Sequence, residues 1–92
     1  MSVVIVGGNE CMEGKYKEIC NGHGCDAKVF CKLKGSLQGR IGSPDLMILF
    51  TNTVSHKMMR CAMQNIADKT QVVYSHSSSG SSLKQILQQY AD

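Results

Sequence analysis

The sequence predicts a three-layer α/β fold built on a four-stranded parallel sheet. Three observations predict it. Short β-branched or aliphatic runs recur along the chain, segments with helical spacing fall between them, and each run ends in small or polar residues. Alternation of this kind implies parallel strands joined by right-handed crossovers, with helices covering both faces.

Val3, Val4, Ile5 and Val6 form a continuous apolar run closed by Gly7 and Gly8. Such a run suits a strand buried on both faces. Residues 10–21 follow as a helix, because Met12, Tyr16, Ile19 and Cys20 fall at helical spacing and Asn21-Gly22 can end it. Residues 27–31, AKVFC, read as a second strand, with the weak alternation of a sheet edge. In KLKGSLQGRIGS, residues 32–43, Leu37 and Ile41 share one face of a short helix that Gly35, Gly39 and Gly42 weaken. Pro44-Asp45 opens the clearest strand, Leu46 to Phe50, and a helix is expected from about Ser55 to Asp68. Gln71 to Tyr74 supplies the fourth strand, and Leu83, Ile86, Leu87 and Tyr90 mark a last helix. The simplest strand order is 2-1-3-4, that of a truncated flavodoxin-like sheet, in one domain over residues 1–92.

The hydrophobic fraction of 42% and charged fraction of 18% are those of a globular chain with a single core. The formal charge of +3 is spread without a basic run, aromatics are 5%, and Trp is absent, so nothing points to nucleic acid. No apolar run has the length of a membrane span, and MSVVIVGGNE reads as a strand rather than a leader, which makes the cytoplasm the expected location. Five cysteines with no C-x-x-C pair argue against both a disulfide framework and a zinc ribbon.

In open α/β sheets ligands bind beyond the carboxyl ends of the strands, where strand order reverses. Here that edge collects Gly7, Gly8, Asn9, Glu10 and Cys11, then Cys31 and Lys32, then Thr51, Asn52, Thr53, Ser55 and His56, and last SHSSSG, residues 75–80. The serines before the last helix supply caps, and amides at a helix start attract anions. Gly7-Gly8 lacks the third glycine of a dinucleotide fingerprint, so it reads as a tight turn with close backbone approach rather than as a nicotinamide site. Cys11, Cys31, His56 and His76 come from four loops on the same edge. Together they would suit zinc, iron or haem, with Met12 and Met59 as further soft ligands. Cys20, His23 and Cys25 make a second local cluster, set against the apolar stripe that claims Cys20 for the core. Cys61 shares a stripe with Met58, Ala62 and Ile66 and reads as core. A thiolate at Cys11, ahead of a helix, with His56 as its base would be a nucleophile, but the arginine of phosphatase-like loops is missing from that turn.

The ordered set VVIVGGNECM, SPDLMILFTNTVSH and YSHSSSGSSL resembles the bacterial proteins grouped as domain of unknown function 2325, over nearly the whole chain. The resemblance implies a small Rossmann-type α/β domain and marks Gly7, Gly8, Ser55, His56, Ser77 and Ser78 as motif positions. Where many members carry a histidine and glycines after the second strand, this chain has Cys31, Lys32 and Lys34. No paired carboxylates, triad or phosphate loop appears, which favours a binding or regulatory module over an enzyme. The expected ligand is a small anionic or nucleotide-like molecule held by Gly7, Gly8, Asn9, Ser77, Ser78 and Ser79 on one side and Thr53, Ser55 and His56 on the other. The alternatives are a metal- or haem-dependent redox sensor and a homodimeric interaction module, since open sheet edges and a small core both favour pairing.

Overall fold

The computed structural model describes residues 1–30, 44–64 and 70–90. Four strands, β1 (Ser2–Val6), β2 (Asp26–Phe30), β3 (Leu46–Phe50) and β4 (Gln71–Ser75), form one sheet in the order β2-β1-β3-β4. Every pairing is parallel, with Ile5 opposite Val29 on one side and Ile48 on the other, and Ile48 opposite Val73. Among the described residues the α-helices are α1 (Glu13–Gly22), α2 (His56–Gln64) and α3 (Gly80–Tyr90). This is the expected topology, compatible with a Rossmann-like fold.

The central strands explain their own sequence. Every residue of Val3–Val6 and Leu46–Phe50 is buried, because both faces of β1 and β3 are covered. On one face Val3, Ile5, Leu46, Ile48 and Phe50 pack with Tyr16, Ile19 and Cys20 of α1 and Leu83 and Leu87 of α3. On the other, Val4, Val6, Met47 and Leu49 meet Met58 and Ala62 of α2. Side chains alternate along a strand, so a continuous apolar run feeds two cores at once. Cys61 packs at the margin of the second core, on the stripe its spacing indicated. The edge strands β2 and β4 are only half covered.

At the amino ends of the strands, the Ser2 amide donates to the Asp45 carboxylate at 2.9 Å and the buried Thr70 hydroxyl donates to the Pro44 carbonyl at 2.6 Å. These bonds hold the entries of β1, β3 and β4 level. All four chain exits then open onto the opposite edge.

Boundaries differ from the sequence reading in physical detail. The segment from residue 10 is not helical at once. Asn9 accepts from the Cys11 amide at 2.9 Å and starts a 3-10 turn over Glu10–Met12 before α1 begins. At its far end α1 runs through Gly22, and the left-handed residue that stops it is Gly24, at φ +72°. The second strand, Asp26–Phe30 among the described residues, starts one residue earlier than expected. Cys31, the short helix around Leu37 and Ile41, and the end of the 55–68 helix including Ile66 lie outside the described residues.

Candidate functional site

The carboxyl ends of β1, β3 and β4 are laced together by bonds between loops distant in sequence. Gly7 and Gly8 both hold positive φ, +96° and +88°. A Cβ on Gly7 would sit 3.1 Å from the Phe50 carbonyl oxygen and 3.1 Å from Thr53 Oγ1, and one on Gly8 would sit 2.8 Å from Tyr16 Cε2. The turn is therefore glycine for two independent reasons, backbone conformation and lack of room. It lets the Gly8 amide donate to Thr53 Oγ1 at 2.6 Å, while the Gly7 amide donates to the Phe30 carbonyl at 2.9 Å. These are the amides that the sequence reading assigned to an anion, and here they join the β1 loop to β3 and β2.

Tyr16 makes the second link. Its ring is buried beneath Gly8, 5.3 Å from the Phe50 ring, and its hydroxyl reaches the rim. There it donates to the Ser78 carbonyl at 2.6 Å and accepts from the Asn9 amide at 3.3 Å. Tyr16 was expected only as a core position. A signal for its second role was present, since a buried phenol needs a partner for its hydroxyl and this one lies on the first helix after a strand end.

The 51–56 segment divides its polar groups. Thr51 donates from its amide and hydroxyl to the Ser75 carbonyl, at 2.8 and 3.3 Å. Thr53 Oγ1, besides receiving the Gly8 amide, donates to the Phe50 carbonyl at 3.2 Å. Ser55 caps α2, its hydroxyl accepting from the Met58 amide at 3.1 Å. His56 is the exposed first residue of α2.

In the serine loop, Ser79 caps α3 by accepting from the Ser82 amide at 3.2 Å, and Ser77 Oγ accepts from the Ser79 amide at 3.4 Å. Ser75 donates to the Ser77 carbonyl at 2.7 Å. Capping is thus one use of these serines. The amides of Gly80 and Ser81 lie ahead of the first intrahelical bond, from Leu83 to Ser79, and face outward from the helix start. His56 and Lys57 hold the equivalent places at the start of α2, ahead of the Met59-to-Ser55 bond.

Of the Cys/His set, three members lie among the described residues. Cys11, His56 and His76 are exposed, and among the described residues no group of three His, Cys, Asp or Glu side chains is placed to hold a metal ion. Cys31, the fourth candidate, lies outside the described residues. Cys20 and Cys25 belong instead to the buried cluster under α1. Burial, and secondarily the neighbouring Cys25, pushes the Cys20 thiol up to about 11 from 9.0. An open groove of about 280 Å³ is lined by Lys15, Glu18, Ile19, Gly22 and His23 of the α1 region and Lys84 of α3, not by the strand-end loops.

Two outcomes follow. Tyr16→Phe should lower unfolding free energy by about 1–3 kcal/mol in urea titrations and speed amide exchange at Asn9, because the Ser78 carbonyl and the Asn9 amide lose a buried partner. A cost under about 0.5 kcal/mol would mean that the hydroxyl holds nothing together. The second outcome concerns pH. The folded-state pKa of Cys20 lies above its unfolded value, so its contribution is intact below pH 9 and is lost as pH rises toward 11. Under reducing conditions the native chain should therefore lose about 2 kcal/mol more than Cys20→Ala across that window.

The profile of the family described as "Uncharacterized protein conserved in bacteria (DUF2325)" matches residues 2–90, and the chain belongs to that family. Searches of curated proteins and of solved structures returned no match.

Proposed function

We propose that this member of the family is a binding or regulatory module that takes a small anionic or nucleotide-like molecule at the carboxyl ends of its strands. The observation that supports the reading is the gathering of the β1 turn, the β3 loop and the serine loop onto one rim by the Gly8–Thr53 and Tyr16–Ser78 bonds. That rim lies where the helices following β1 and β3 go to opposite faces of the sheet, the place at which this architecture binds ligands.

Donors to the anion come from the starts of α2 and α3, whose first-turn amides at His56, Lys57, Gly80 and Ser81 precede intrahelical bonding. Gly7 and Gly8 shape the floor, Asn9 borders it, and Thr53, Ser55, Ser77, Ser78 and Ser79 line it with polar groups. A phosphate group fits this chemistry better than an apolar ligand does.

Calorimetric titration with inorganic phosphate and with nucleoside monophosphates tests the reading. Binding is expected, and Ser81→Pro should weaken it about tenfold, because proline in a first turn removes an amide without breaking an intrahelical bond. Absence of binding by every probe, or unchanged affinity in the variant, would overturn it.

The homodimer reading has an observation of its own. Edge strand β4 leaves Tyr74 56% exposed beside Met63, 40% exposed, with the Tyr74 hydroxyl 3.6 Å from the Met63 sulfur. A second copy along β4 would cover both. Light scattering should then give twice the 10.0 kDa chain mass, and Tyr74→Glu should return the monomer. A monomeric native chain at high concentration would exclude this interface.

A further inference from the structure

The end of α1 places two of the five cysteines in a geometry that the strand-end reading does not use. The Cys25 amide donates to the Cys20 carbonyl at 2.9 Å, and the Gly24 amide donates to the Asn21 carbonyl at 3.0 Å. With Gly24 at φ +72°, this is the Schellman arrangement, in which the residue after the left-handed glycine folds its side chain back against the residue five positions earlier. Those two residues are Cys25 and Cys20. Both side chains lie in the same buried cluster, 3% and 0% exposed. Standard bond lengths and the one hydrogen bond cap their Cα separation at about 6.8 Å, inside the range that a disulfide spans.

The turn that joins the two buried cysteines borders an open groove. The residues between the two thiols include Gly22 and His23, which line the open groove between α1 and Lys84, and a Cβ at Gly22 would meet nothing within 4 Å. The Cys25 thiol donates weakly to the carbonyl of His23 in that turn, at 3.6 Å.

We propose that Cys20 and Cys25 form a reversible dithiol–disulfide site, oxidised by low-molecular-weight disulfides. The Cys25 thiolate attacks one sulfur of the small disulfide, forming a mixed disulfide and releasing one small thiol. The Cys20 sulfur then attacks the Cys25 sulfur and expels the second small thiol. The protein loses two electrons and two protons, and the small disulfide gains both as two thiols. The buried, high-pKa Cys20 thiol makes the second step slow, which suits a site that responds to a sustained change in redox poise.

The test equilibrates the full native chain in glutathione/glutathione disulfide buffers of graded ratio, quenches with acid, alkylates after denaturation and maps peptides without reduction. No lysine or arginine lies between Cys20 and Cys25, so one tryptic peptide, residues 18–28, carries both. The expected result is a form of that peptide lacking two hydrogens and both alkyl groups, replaced by the doubly alkylated form as glutathione rises. A peptide that stays doubly alkylated in the most oxidising buffer, that holds glutathione on either cysteine, or that is joined to Cys11, Cys31 or Cys61 would overturn the proposal. The same mapping on Cys11→Ser/Cys31→Ser/Cys61→Ala removes competing partners. Should that variant not fold, the native chain alone decides. Neither result depends on whether the rim binds an anion.

Discussion

The structure turns on a buried phenol that has to reach out of its core. The Tyr16 ring lies among Phe50, Ile19 and the floor of the β1 turn, yet its hydroxyl must find partners, and they belong to two different loops. A hydroxyl left unpaired in such a place costs about 1–3 kcal/mol, as much as many whole side-chain contacts contribute. The 2.6 Å bond to Ser78 therefore ties the serine loop to the start of α1. It also dictates the sequence nearby. A side chain at residue 8 would collide with the ring, so the turn above Tyr16 must be glycine. The Gly8 amide, brought down close, then meets Thr53. One aromatic residue in this way accounts for a glycine, a threonine and the path of a loop 62 residues away.

The strand pattern was legible because it rests on burial alone. Val3–Val6 and Leu46–Phe50 are apolar at every position, and only a strand covered on both faces can use such a run. The edge strands were legible for the opposite reason, since their mixed composition matches half burial. The helix boundaries were less so. Asn9, Cys11 and Gly24 act through local backbone bonds, and such bonds leave no periodic trace. A pair such as Asn21-Gly22 looks as good a stop as His23-Gly24, and only the need to turn Cys25 into the core separates them.

The candidate rim was legible as a place and much less as a set of contacts. Parallel topology sends every strand exit to one edge, so residues 7–9, 51–56 and 75–80 had to lie on it once strand order was assigned. Which amide meets which oxygen depends on distances that topology does not carry. The glycines illustrate the difference. Their amides looked like donors awaiting a ligand, yet Gly7 and Gly8 complete loop contacts with Phe30 and Thr53. The helix starts of α2 and α3 keep their first amides outward, as any capped helix of this length does. The polar character of the 51–56 stretch is thus explained twice, by loop closure at Thr51 and Thr53 and by capping at Ser55.

Helix α1 carries both the rim brace and the first of the paired cysteines. Tyr16 and Cys20 lie four residues apart, on one helical face and in one buried cluster. The rim brace and the thiol pair are therefore separated by a single turn of a helix that packs on both the sheet and α3. A covalent bond between Cys20 and Cys25 would fasten the last turn of α1 to the start of β2, while the Tyr16 hydroxyl fastens an earlier turn to the serine loop. A helix held at two points on its buried face cannot rotate without breaking one of them. The cheaper of the two to break is the hydrogen bond at Ser78, since the disulfide must be reduced to yield.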